Sequence, residues 1–106
     1  MFVAKVTGSV IATQKVDSMV GQKLLIVEPY RVDGANRQQM VGTGRTFVAV
    51  DTVGAGQDEM VLIVQGSSAR LTPETKSLPV DAVIIGIVDS VRVDQVSVFD
   101  RERPNQ

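Results

Sequence analysis

Val48-Ala-Val-Asp-Thr-Val-Gly-Ala-Gly-Gln-Asp-Glu-Met-Val-Leu-Ile-Val-Gln-Gly-Ser-Ser-Ala-Arg70 reads as a strand, a glycine turn, a second strand and a small-residue turn. Val48–Val53 and Met60–Gln65 have the β-branched, apolar composition of buried strands. Gly54-Ala55-Gly56 between them admits positive φ and close approach of backbone. Gly66-Ser-Ser-Ala-Arg70 predicts one helical turn capped by Ser67 or Ser68. Nothing here resembles a catalytic centre. The stretch reads as a surface built to be packed against.

The flanking sequence extends the same β pattern. Phe2, Ala4, Val6, Gly8, Val10 and Ala12 alternate with Lys5, Thr7, Ser9 and Thr13, which predicts a half-buried strand with a bend at Gly8. Gln14–Gln22 is a polar connection. Lys23–Val32 is a second long strand, and its continuous Leu24–Val27 run predicts cover on both faces. Pro29 cannot donate to a ladder, so that end belongs at an edge or bulge. Asp33-Gly34 signals a turn, and Asn36–Thr46 fits either a mobile loop or a short β-ribbon. Thr72–Pro79 is a polar loop. Val80–Val93 reads as the final long strand, bent at Gly86, and Asp100–Gln106 as a charged, frayed tail. Five main strands with at most one short helix predict an all-β fold, a small five-stranded barrel of the oligonucleotide-binding (OB-like) type. The expected domain spans residues 1–99, with 100–106 as a flexible tail.

Composition narrows the chemistry. In a chain of 106 residues roughly 60–70% of the unfolded surface is buried on folding. Yet 43% of the residues are apolar, and several strands are apolar on both faces. A neighbouring subunit would cover the second face, so the pattern predicts an oligomer. The 11 Lys and Arg against 12 Asp and Glu give a net charge of −1, a poor match to a phosphate backbone. Cys and His are absent, which removes disulfides, thiolate sites and the commonest general base and metal ligand. The N-terminus enters a strand pattern directly, and no apolar run approaches the ~20 residues of a membrane span. A cytoplasmic protein is expected, with no membrane partner.

Three features invite a chemical reading. Asp51, Asp81 and Asp89 lie in or beside apolar strands and could gather round a divalent cation, but no Asp-x-Asp spacing links them. Acceptance of turn amides, or pairing with an arginine at a subunit seam, explains them better. Gly54-Ala55-Gly56 lacks the third glycine, the Lys-Ser or Lys-Thr and the long helix of a phosphate loop. Gly66–Arg70 could hold an anion, though a capped turn with Arg70 tying two subunits together fits better. Three Phe, one Tyr and no Trp are too few and too scattered to form a stacking platform for single strands.

A resemblance joins these pieces. Ala4-Lys-Val-Thr-Gly8, Val10-Ile-Ala-Thr13 with Lys15, Gly21-Gln-Lys-Leu-Leu-Ile-Val27, Val48–Asp51, Val53–Gly56, Glu59, Val61–Val64, Gly66–Arg70, Pro79–Asp81 and Ile84–Asp89 follow in one order with compatible spacing. Together they resemble the vertex proteins of bacterial microcompartment shells, the family of carboxysomes and ethanolamine-utilisation compartments. The resemblance implies a non-catalytic barrel assembling as a cyclic homopentamer with a narrow central opening. Such rings sit at the corners of a polyhedral shell whose facets are hexagonal proteins. It makes Thr13, Gly54, Ala55 and Gly56 candidates for contact with neighbouring shell proteins. Ser67, Ser68 and Arg70, with Asp81 or Asp89 as ionic partners, become candidates for the seam between subunits. No catalytic, metal or cofactor residue is implied, and no nucleic acid. The competing reading is an OB-like module for single-stranded nucleic acid or a small anionic ligand. The sequence departs from the family pattern in a long Val32–Thr46 stretch and in Met60, where relatives often carry an aromatic. No usable resemblance extends past Val93.

Overall fold

The computed structural model describes residues 1–13, 15–73, 75–76 and 80–102. Eight strands follow in order: β1 (Phe2–Val10), β2 (Lys23–Val32), β3 (Met40–Gly42), β4 (Phe47–Asp51), β5 (Met60–Gln65), β6 (Ala82–Ile87), β7 (Ser90–Val93) and β8 (Val96–Asp100). Short 3-10 turns cover Asp17–Met19 and Gly66–Arg70, and no α-helix occurs among the described residues.

Five strands close on themselves. The order β1-β5-β6-β4-β2 returns to β1 through an antiparallel β1–β2 ladder. Each junction is antiparallel except β4–β6, which is parallel and pairs only Val50 with Val83 and Asp51 with Ile84. The predicted five-stranded barrel is therefore present. Bulges supply the closure. On β1 the register passes from Val6↔Val27 to Gly8↔Ile26, leaving Thr7 extra. Cross-strand partners share a face, so Gly8 and Val10 lie with Ile26 and Leu24, opposite to Val6. The uninterrupted alternation expected along Phe2–Ala12 breaks there. A second bulge on β6 leaves Ile85 extra beside Gly86, at the bend that glycine announced.

The two-faced apolar strands turn out to serve two cores. The barrel interior holds Ala4, Val6, Leu25, Val27, Ala49, Ala55, Val61, Ile63, Ala82 and Ile84. A second cluster, Val50, Val64, Ala69, Val80 and Val83, lies on the outer face with Met19, Leu24 and Ile85 against it. The chain's own 3-10 turns, through Ala69 and Met19, cover part of the face that composition assigned to a neighbouring subunit.

Two ribbons leave the barrel. β2 pairs with β4 only through Val27 and with β3 from Tyr30 onward, so Pro29 falls at the change of partner, where no ladder donor is needed. Asn36–Thr46 thus carries a short β-ribbon. The second ribbon corrects the sequence reading. Val80–Val93 is not one strand: β6 ends where β5 runs out, and the Val88 amide makes a last bond to the Met60 carbonyl (2.8 Å). The chain then forms the β7–β8 hairpin, whose Asp94-Gln95 turn has φ of 52° and 64°. The ribbons meet through Arg37 and Asp94 (2.7 Å), and the molecule measures 45 × 24 × 23 Å. Residues 103–106 of the expected tail lie outside the described residues.

Candidate assembly surface

The turn between β4 and β5 is built by one carboxylate. Asp51 ends β4 with its side chain fully buried. Its Oδ1 accepts the amides of Val53 (3.0 Å) and Gly54 (3.1 Å), and Oδ2 accepts that of Ala55 (2.8 Å). Lys23 Nζ stands 3.5 Å from Oδ2 and donates to the Ala55 carbonyl at 2.9 Å. Gly54 takes φ of 79°, a conformation that any side chain would strain. On the far side Glu59 Oε1 accepts the Gly56 amide (2.8 Å), while its shielded Oε2 lies 2.8 Å from Arg101. Arg101 also reaches Asp89, by its guanidinium at 3.4 Å and through an amide–carbonyl bond of 2.7 Å. The turn is fixed from both flanks.

Within this frame Gly54 is exposed and Gly56 half-buried, and Thr13 is exposed beyond the end of β1. Ala55 is different. Its methyl is 1% exposed and belongs to the inner core, so the turn presents Val53 and Gly54 outward instead. Val53, which the sequence reading did not single out, is 39% exposed.

The seam candidates divide between the two ends of the barrel. Ser67, Arg70 and Asp81 are exposed at the end of β5, where the Gly66 amide donates to the Asp81 carbonyl (2.7 Å). The side chain of Ser68 lies outside the described residues. Asp89 sits at the opposite end with Glu59 and Arg101, and its ionic partner is in its own chain. Asp51, Asp81 and Asp89 are not brought together, and no cluster of carboxylates suited to a metal occurs among the described residues. Sequence reasoning missed Lys23, Glu59 and Arg101 as supports of the turn. Only the capping role of Asp51 carried a signal, an aspartate directly before a glycine turn.

One flank of the barrel is incompletely closed. Upstream of Val50, β4 has no partner on its β6 side. A cleft of about 250 Å³ opens there, lined by Met19, Leu24, Val48, Val80, Asp81 and Ala82 among others. Val48 is 50% exposed, and Phe47 beside it stacks obliquely on Phe2 with centroids 6.1 Å apart. The side chains gathered here are aliphatic or aromatic apart from Asp81.

Residues 1–89 match the family model described as ethanolamine utilisation protein EutN/carboxysome. The chain belongs to this family. It is 43% identical over 101 residues to the carboxysome shell vertex protein CcmL of Synechococcus elongatus, covering 95% of this chain and 96% of that one. Coverage this long includes β8, so the likeness runs past Val93, where the sequence reading stopped. Among solved structures, CcmL of Gloeobacter violaceus superposes with a TM-score of 0.83 at 40% identity, covering 96% and 99% of the two chains. GrpN, a pentameric microcompartment shell protein from Rhodospirillum rubrum, gives 0.72 at 40% identity, covering 88% and 98%.

Proposed function

We propose that this chain is a structural protein forming the pentameric vertices that close a bacterial microcompartment shell, with no catalytic role of its own. The observation that carries this reading is the likeness, over nearly the whole of both chains, to a solved pentameric shell protein and to vertex proteins of carboxysomes. Flat sheets of hexagonal subunits close only where five-fold units interrupt them, and a barrel with exposed apolar flanks suits that place. The partners are then four further copies of the chain and the hexagonal facet proteins of the shell. Facet proteins meet the Val53–Gly56 turn and Thr13, while Ser67, Ser68, Arg70 and Asp81 lie towards the seam.

Co-expression with hexagonal shell proteins tests the assignment. The purified chain is expected at the mass of five 11.4 kDa copies, about 57 kDa, and should co-purify with closed shells. A stable monomer that never enters shells would overturn it. Val53→Glu is expected to leave the ring mass unchanged and to cut incorporation at least tenfold. Normal incorporation of that variant would remove the turn from the facet contact.

A further inference from the structure

Resting on the vertex reading, we infer that at the seam Ile11 of one copy is seated in the Val48–Val80–Ala82 cleft of the next. A cyclic ring joins one patch to a different patch on the neighbouring copy. Those patches must lie on different flanks of the subunit, and the strand order says which are available. In the closed order β1-β5-β6-β4-β2, the β4–β6 junction stands two strands from β1 in either direction, directly across the barrel. The registers Val10↔Leu24 and Leu24↔Val50 carry the level of the end of β1 round to the cleft.

Each flank has what the other lacks. Immediately past β1, Ile11 is 92% exposed, the most exposed large apolar side chain among the described residues. Beside it Lys15 Nζ donates to the Ala12 carbonyl (3.0 Å), which holds a cation next to the apolar projection. The cleft is lined by aliphatic groups and one charged residue, Asp81, which is exposed and pairs with no described base. A branched aliphatic with a neighbouring ammonium thus faces an aliphatic hollow with a neighbouring carboxylate. The parallel β4–β6 junction, only two pairs long, is the weakest closure of the barrel. An adjacent copy would shield it from water.

Native mass measurement of three variants beside the wild type tests this. Ile11→Lys and Val48→Asp alter exposed side chains, so each is expected to keep the β-sheet circular dichroism spectrum. Each should fall from about 57 kDa to 11.4 kDa at micromolar concentration. The double variant places lysine against aspartate at every seam and should return to ring mass. Single variants that both remain rings overturn the inference while the vertex reading stands, and so does a double variant that stays monomeric. A wild-type chain that is itself monomeric overturns both.

Discussion

Asp51 shows how much one side chain can determine at the residue scale. Three backbone amides and one ammonium converge on a carboxylate with no exposed surface. Asp51→Ala leaves three turn amides without their acceptor, the buried Ala55 amide among them, and should cost about 2–4 kcal/mol in urea unfolding, because a buried amide left unsatisfied costs more than an average hydrogen bond returns. A loss below about 0.5 kcal/mol would show that the turn holds itself. Ala55→Glu should be equally severe, since its methyl lies in the inner core. At the surface, Gln39 donates to Asp33 Oδ2 (2.8 Å) and the Ala35 amide to Oδ1 (2.9 Å), holding that carboxyl below its usual 3.8. The folded value is depressed, so this ordering of the ribbon loop is complete above pH 3.8 and fades as pH falls through the lower folded value. Gln39→Ala should move the Asp33 titration up towards 3.8, as followed by carboxyl NMR. An unmoved titration would assign the shift to the Ala35 and Asn36 amides and the Arg31 charge. The sequence made Asp51 legible as a cap because the amides it accepts are local. It left Lys23 and Arg101 unread because their partners come from strands distant in the chain.

At the scale of elements, the sequence revealed strands wherever β-branched runs met glycine or proline, and failed where a turn was made without them. Gly8 and Gly86 announced bends, and both lie beside bulges. Asp94-Gln95 announced nothing. A two-residue turn with positive φ at both positions is normally written Asn-Gly or Asp-Gly, so the hairpin goes unseen, and the break at Val88-Asp89 between β6 and β7 carries no glycine or proline to divide Val80–Val93. Gln95→Gly relieves a left-handed residue at 64° and should raise stability by about 1 kcal/mol, visible as a higher thermal midpoint. No change, or a fall, would show that Gln95 carries a contact that offsets its strain. Arg101→Ala removes the link from the end of the hairpin to Glu59 and hence to the Gly56 amide. Hydrogen exchange at Gly56 should quicken in that variant while the amides inside β5 keep their protection. Unchanged exchange at Gly56 would mean that the hairpin does not brace the turn.

For the whole molecule the decisive point is that the inner core is complete within one chain. Val27, Val61, Ile63 and Ile84 have no exposed surface, and Val6 is 1% exposed, with no second copy present. Composition alone assigned the second apolar face to a neighbouring subunit. It could not show that the second face is shared between the chain's own 3-10 turns and an open remainder around Phe47, Val48 and Ile11. That division has a thermodynamic consequence. Contacts between copies respond to concentration by mass action, whereas a core inside one chain does not. In urea the ring should therefore come apart first, with a midpoint that rises with protein concentration. The barrel should unfold afterwards at a midpoint that does not. Sedimentation followed together with circular dichroism separates the two steps, and the second midpoint should coincide with the single transition of Ile11→Lys. One combined transition that shifts with concentration, by about 1.1 kcal/mol per tenfold for a five-membered ring, would show the opposite. The barrel would then depend on its neighbours, and the weak β4–β6 junction is where that dependence would arise.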